Sequence, residues 1–326
     1  MSLKPPSGRQ IFRGFDTYYG SSIAPFLAER EADRAGAVTN ILILGAATLA
    51  LASAFAFFGP FGDGNLKAAI YIGLGGSVLC GWLLERTRTD ITHGLLGLVA
   101  SRLGFSYRGE LGRPDYYARF RALNLLPGHN REAWEDEIRG IYSDAAFTLC
   151  EAHLKQKSSG RNSSTRTVFH GQLLIIDYPR RFLGVTVVLR DTGVLNRLGK
   201  PGKDFSRVGL VSAKFEKAFE AWSTDQVEAR ELLDPVVLER FLELEKLYDG
   251  KKVRAAFDNG RLLIAIETGD RLNMGTMFKP LAGAGRVEKI LAEFDAVFDL
   301  IDVLLKRPEG RLDGAFTVDK VRASAH

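Results

Sequence analysis

The densest group of side chains that could do chemistry lies in the stretch AWSTDQVEARELLDP, residues 221–235. In a helix, Asp225 and Glu228 would lie on one face, as the two carboxylates of a general acid–base pair do. Arg230 would point to a different side of that helix. Because binding residues often lie at strand-to-helix corners, Asp225, Glu228 and Arg230 form the candidate contact site, and none is assigned a catalytic role.

The same residues also fit the start of a helix. Asp225 followed by Glu228 has the spacing of a capping box, and so does Ser223 followed by Gln226. The Asp-Pro dipeptide that ends the stretch predicts a second helix start. Each cap stabilises a helix by about 1 kcal/mol. Capping and solvated charge therefore explain most of these residues without any catalysis.

A second group of potential ligands consists of Cys150, Glu151, His153 and His170. In a strand, Glu151 and His153 point to one face and Cys150 to the other, so the three cannot share a ligand set without a bulge. His170 could meet His153 across neighbouring strands, but two histidines make a poor zinc site. We therefore predict ordinary residues of the sheet surface, no metal and no cofactor. The chain contains no GxSxG, HExxH, P-loop or CxxC pattern.

Two uncharged apolar runs lie upstream, over 35–59 and 68–84. As a helix, the first would be about 37 Å long, against a bilayer hydrocarbon core of roughly 30 Å. The segment PFGDGNLK between them leaves room for a turn only. The alternative, a buried hairpin of a soluble protein, is disfavoured because core helices rarely lack charge for so long. We predict a transmembrane helical hairpin over 35–85, with spans at about 35–59 and 68–85.

The basic residues beside these spans predict their orientation. Arg30 and Arg34 precede the first span, Arg86 and Arg88 follow the second, and the turn carries only Lys67. Because short cytoplasmic segments are enriched in Lys and Arg, both termini should face the cytoplasm. No ionisable residue lies at mid-membrane to support transport, so the hairpin is interpreted as an anchor.

The remaining chain predicts an α+β fold. A mostly antiparallel sheet should extend from about Glu135 to Trp222 and include a hairpin at Asn259-Gly260. Two amphipathic helices, over 225–248 and 286–305, should cover it. The divisions outside the anchor are a juxtamembrane helix over 1–34, a helical stalk or connector over 86–134, a cytoplasmic α+β domain over 135–305 and a loose tail over 306–326.

Three features of the C-terminal half occur together: KFEKAFEAWSTDQVEARELLDPVVLERFLELEKL, the hairpin VRAAFDNGRLLIAI and the closing amphipathic helix. With the upstream two-span anchor, the chain resembles the bacterial domain of unknown function 3137 family. The resemblance covers most of the chain, is sharpest over 214–305, and has STDQVEAR as its most specific part. It implies an uncharacterised bacterial membrane-anchored protein and carries over no catalytic residue. We therefore predict that the protein is located in the bacterial inner membrane.

These observations favour a non-enzymatic, membrane-anchored interaction or regulatory protein. Its expected partners are the lipid bilayer and a membrane or cytoplasmic protein, with a second copy of the chain as a further candidate. The alternative is a small-ligand or anion-binding sensor, or an enzyme with an unrecognised site near the 223–230 corner. A net charge of +5 over 326 residues is too mild to predict nucleic acid binding.

Overall fold

The structure is a computed structural model that describes residues 3–160, 163–178, 180–190, 201–210, 213–247 and 253–305. N-terminal helices are followed by a nine-stranded antiparallel sheet with further helices, which confirms the predicted α+β class. The predicted tail, 306–326, lies outside the described residues. The helices are α1 (Phe15–Tyr18), α2 (Ala24–Phe58), α3 (Asn65–Arg102), α4 (Tyr117–Ala122), α5 (Ala213–Glu216), α6 (Gln226–Leu232), α7 (Pro235–Leu247) and α8 (Gly285–Leu305).

The sheet has the order β1-β2-β3-β4-β9-β8-β5-β7-β6, and every neighbouring pair is antiparallel. The predicted hairpin is present: Asn259 and Gly260 both have positive φ, 47° and 73°, as a tight two-residue turn requires. The strands are β1 (Ser106–Leu111), β2 (Arg131–Tyr142), β3 (Ala145–Lys157), β4 (Thr165–Asp177), β5 (Thr186–Arg190), β6 (Ser206–Arg207), β7 (Phe219–Ser223), β8 (Val253–Asp258) and β9 (Arg261–Ile266).

Helices α2 and α3 are long and apolar enough to span a membrane, and they pack against each other as a hairpin. Their apolar side chains are exposed, for example Leu49 at 70% and Phe58 at 88%, which is expected where lipid replaces water. The helices pack closely at Gly76, where an added Cβ would lie 2.2 Å from Thr48 Cγ2. A glycine at this position therefore lets the two backbones approach.

The predicted helical connector over 86–134 is helical only as far as Arg102, where α3 ends. Gly104 takes a left-handed φ of 81°, and the Phe105 amide donates to Ala100 O at 2.9 Å, a helix-terminating pattern. The strand β1, the short helix α4 and the first residues of β2 follow. The connector prediction was therefore wrong beyond α3, because the glycine stop and the alternating strand after it were not recognised.

The N-terminal segment is part of the domain core and does not form a separate juxtamembrane unit. Phe12, Phe15 and Ile23 are at most 1% exposed and belong to the same apolar cluster as the inner face of α8. Arg9 contacts the acidic face of α8 through Asp295, with Nε to Oδ1 at 2.7 Å, and through Asp299 and Asp302. The helix itself starts at Phe15 and passes through a π-helical turn into α2, so the predicted helix is present over part of 1–34.

The two predicted covering segments are helical, and the second helix start predicted at Asp234-Pro235 is confirmed. Residues 225–247 therefore form two helices, α6 and α7, and not one continuous helix, because the chain leaves the helical region at Leu233 and restarts at Pro235. Asp234 caps the second start by accepting from the Val237 amide at 2.9 Å. Helix α8 buries Val287, Ile290 and others of its apolar stripe in the main core, as predicted.

Candidate functional site

The corner between β7 and α6 contains the three predicted contact residues. Asp225 is the N-cap of α6: its Oδ1 accepts from the amides of Val227 at 2.9 Å and Glu228 at 3.0 Å. The Asp225 amide in turn donates to Ser223 Oγ at 3.0 Å. The capping interpretation of this stretch is therefore confirmed for Asp225.

Glu228 does not complete a capping box, because its carboxylate turns away from Asp225. It is 6% exposed and accepts from two amides of the loop before β5: Oε1 from Leu183 at 2.9 Å and Oε2 from Gly184 at 2.8 Å. Thr224 fixes the same loop, since its Oγ1 accepts from the Val185 amide at 2.9 Å. Both carboxylates of the corner thus bind backbone amides, and the structure does not pair them as an acid and a base.

The loop approaches the corner too closely for a side chain at Gly184. An added Cβ there would lie 2.7 Å from Asp225 Cβ and 2.9 Å from Thr224 Oγ1. The result is a fixed corner that displays two apolar side chains, Leu183 at 76% exposure and Val227 at 79%. Arg230 is also exposed, one turn further along α6. We call Leu183, Val227 and Arg230 the corner surface.

The residues of the second predicted group point to the predicted strand faces, but the surface prediction was wrong for Cys150 and Glu151. These two are 0% and 6% exposed, because apolar clusters cover both faces of β3. His153 and His170 are directly opposite on β3 and β4, and their rings stack at 4.3 Å. His153 Nε2 lies 3.0 Å from Thr167 Oγ1, and burial together with His170 lowers the pKa of His153. Cys150 is buried in the core on the other face, where burial raises the pKa of its thiol to about 12. Within the described residues, no three potential ligands are grouped to hold a metal.

Sequence analysis missed a group of buried acids beside these residues. The register of β2 against β3 shifts between Glu135 and Ile138, and Asp136 at this bulge has a φ of 54°. The bulge buries both Asp136 and Glu137. Glu137 is neutralised by Arg108 and Arg139, the latter with Nε at 2.9 Å, whereas Asp136 Oδ1 accepts from the Tyr107 hydroxyl at 2.6 Å.

Asp136 and Glu151 are buried carboxylates without a close Arg or Lys partner among the described residues. Burial raises the pKa of Asp136 to about 7 and, with the charges of Asp136 and Asp270, that of Glu151 to about 8. Glu151 Oε1 accepts from the amides of Arg271 and Leu272, both at 3.1 Å. Donation to this carboxylate favours its charged form and so partly offsets the rise in its pKa. The pair can therefore hold a proton near neutral pH.

This buried acid pair, Asp136 and Glu151, lies where α3 meets the sheet. His93 of α3 approaches Asp136, with Nε2 at 3.9 Å from Oδ1, and packs over the backbone of Gly109 on β1. Arg88, one turn earlier on α3, lies 3.6 Å from Asp270. The only sequence signal for this arrangement is the acidic run WEDE in β2, which is unusual for a strand that is to be buried.

Comparison with known proteins gives a family match over part of the chain and a weak structural similarity. Residues 167–306 match the family described as Protein of unknown function (DUF3137). No curated protein matches the chain. Among solved structures, the crystal structure of the mycobacterial trehalose monomycolate transport factor A, TtfA, aligns with a TM-score of 0.35 and 12% identity, covering 67% of this chain and 98% of that one. The matched range includes most of β4, strands β5 to β9, the corner and α8.

Proposed function

We propose that the protein is anchored in the bacterial inner membrane by α2 and α3, and that its cytoplasmic domain binds a protein partner through the corner surface. The observation that carries this proposal is that both carboxylates of the corner accept hydrogen bonds from backbone amides. Asp225 and Glu228 bind backbone amides and thereby fix Leu183 and Val227 in exposed positions. Apolar side chains held rigidly in water are a feature of interaction surfaces, because little conformational entropy is lost on binding.

The same contacts argue against the sensor or enzyme alternative at this corner. The Glu228 carboxylate is buried, and both of its oxygens accept from backbone amides, so it is not accessible to a substrate. An anion would also meet two carboxylates here, with Arg230 as the nearest exposed cation of the α6 stretch. An apolar partner surface with an acidic group opposite Arg230 fits the corner better.

The partner is tested by quantitative pull-down of the full chain from membranes in a mild detergent. The test variant carries Leu183→Ser, Val227→Ser and Arg230→Glu, all at exposed positions that should leave the fold intact. Ile141→Ser is the matched control, because Ile141 is 69% exposed on the β2–β3 hairpin. We expect a stoichiometric protein retained by the wild type and the control but lost with the triple variant. Equal retention by all three, or no stoichiometric protein at all, contradicts the corner proposal.

The membrane part of the proposal has a separate test. Reporter fusions at residue 63, in the turn between α2 and α3, and after the last residue should report opposite sides of the membrane, with the C-terminus cytoplasmic. The expectation follows from Arg30, Arg34, Arg86 and Arg88 on one side against Lys67 on the other. A periplasmic C-terminal reporter would contradict the orientation while leaving the anchor itself in place.

A further inference from the structure

The loop between β9 and α8, residues 267–284, is held by the ends of both membrane helices. Arg34, the last charged residue before the apolar run of α2, donates from one terminal nitrogen to Met277 O at 2.8 Å. Glu31, one turn earlier, accepts from the Leu281 amide at 2.8 Å. On the other helix, Arg88 lies 3.6 Å from Asp270. Arg34 and Arg88 flank the apolar runs, so the loop lies at the level where a bilayer would begin.

The tip of this loop has a defined shape. Arg286, in the first turn of α8, donates to the carbonyls of Thr276 and Lys279, both at 2.8 Å. Met277 and Leu281 are at most 2% exposed and anchor the tip in the domain core. Phe278, between them, is 62% exposed and points away from that core. The phenyl ring is thus presented by a braced loop, and Lys279 follows it as an exposed cation.

Apolar contacts also connect the domain with the span level. Val38 on α2 and Leu84 on α3 are partly buried against the main core of the domain, although both lie within the uncharged runs. The domain core therefore packs directly against the two apolar helices, at the same level as the loop. A solvent-exposed Phe at this height would face the headgroup region, where aromatic side chains are favoured and a neighbouring Lys can reach the phosphates.

From this placement we infer that residues 276–282 form a third membrane contact, with Phe278 inserted among the phospholipid headgroups and Lys279 beside their phosphates. The inference rests on the proposed anchoring by α2 and α3. Its consequence is that the sheet domain is held in one orientation against the bilayer. The corner surface then faces the cytoplasm at a fixed angle, which suits a partner that is itself bound to the membrane.

The experiment places a nitroxide on single cysteines in the full chain, reconstituted into vesicles of phosphatidylcholine and phosphatidylglycerol. Cys80→Ala is the background, since the buried Cys150 thiol has a raised pKa and stays unreactive. Collision with oxygen, which concentrates in lipid, is compared with collision with a nickel chelate, which stays in water. The test site is Phe278→Cys.

Two reference sites make the outcomes distinct. Leu42→Cys replaces a 64% exposed residue of the α2 run. Ile141→Cys replaces a 69% exposed residue next to Tyr142, whose hydroxyl donates to Asp302, about 24 Å along α8 from Arg286. We expect the ratio of oxygen to chelate collisions to be highest at 42, intermediate at 278 and lowest at 141, because the headgroups lie between hydrocarbon and water. A ratio at 278 as low as that at 141, with a high ratio at 42, overturns the loop contact and leaves the anchor standing. Chelate dominance at 42 overturns the anchor itself, and the loop contact with it.

Discussion

The corner at Glu228 and the bulge at Asp136 both bury carboxylates, but they satisfy them differently. At the corner, each oxygen of Glu228 accepts a backbone amide of the same short loop. At the bulge, Asp136 has one phenol donor, and Glu151 has its donors on a single oxygen beside the charges of Asp136 and Asp270. The first arrangement organises a loop. The second favours protonation and fits a group whose charge depends on pH.

The difference also separates the two sites by location. The corner contains the stretch STDQVEAR, and its polar contacts connect α6 and β7 with β5, the loop before β5 and, through Gln226, with β6. The buried acid pair joins β2, β3 and the loop held by α3, and so connects the sheet with one of the two long apolar helices. A change at the corner should therefore alter local order, whereas a change at the acid pair should alter how the domain responds to pH.

The largest expected effect is at Glu228. Glu228→Ala leaves the amides of Leu183 and Gly184 without their acceptor in a partly buried loop. Each unsatisfied donor costs about 1–3 kcal/mol, so the free energy of unfolding should fall by about 3 kcal/mol. Urea unfolding of the full chain in mild detergent measures this. Glu231→Ala is the matched control, because Glu231 forms an exposed ion pair with Arg180 and should change stability by less than about 1 kcal/mol. Equal losses for both variants would contradict the organising role of Glu228.

The second effect is on pH dependence and concerns Glu151. Its pKa is about 8 in the folded protein against an ordinary 4.5, so the folded state holds the proton more tightly than the unfolded state. The resulting stabilisation is complete below about pH 4.5 and is lost as the pH rises through about 8. Glu151→Gln should therefore match the wild type at pH 5 and exceed its stability above pH 8, on the order of 2 kcal/mol.

The measurement for Glu151→Gln is the difference in free energy of unfolding between variant and wild type from pH 5 to pH 9. Using the difference cancels groups that titrate alike in both proteins. Glu137→Gln is the contrasting variant, because Arg139 and Arg108 lower the pKa of Glu137 despite its burial. It should lose stability at every pH in this range. A difference for Glu151→Gln that is independent of pH would show that Glu151 is ionised throughout.

Much of the fold could be predicted from the sequence because its signals are local. The Asn259-Gly260 turn, the apolar stripe of α8 and the uncharged runs of α2 and α3 each predict an element directly. The buried acid pair could not be predicted, since it depends on the bulge at Asp136 and on a loop more than a hundred residues away. The ion pairs of Arg9 could not be predicted either, because Arg9 and the Asp residues of α8 are far apart in sequence. In the sequence alone, those Asp residues are typical of a solvated helix face.

The smallest expected effect is at Asp225, and it tests whether the corner needs a carboxylate at all. Asp225→Ala removes the acceptor for the Val227 and Glu228 amides, so the free energy of unfolding should fall by about 1 kcal/mol. Asp225→Asn keeps a capping oxygen and should keep nearly all of that stability. If the partner of the corner surface is also retained by Asp225→Asn, then the charge of Asp225 has no part in binding. If Asp225→Asn preserves stability but loses the partner, then Asp225 itself belongs to the contact surface. The corner would then contact the partner through this carboxylate as well as position Leu183 and Val227.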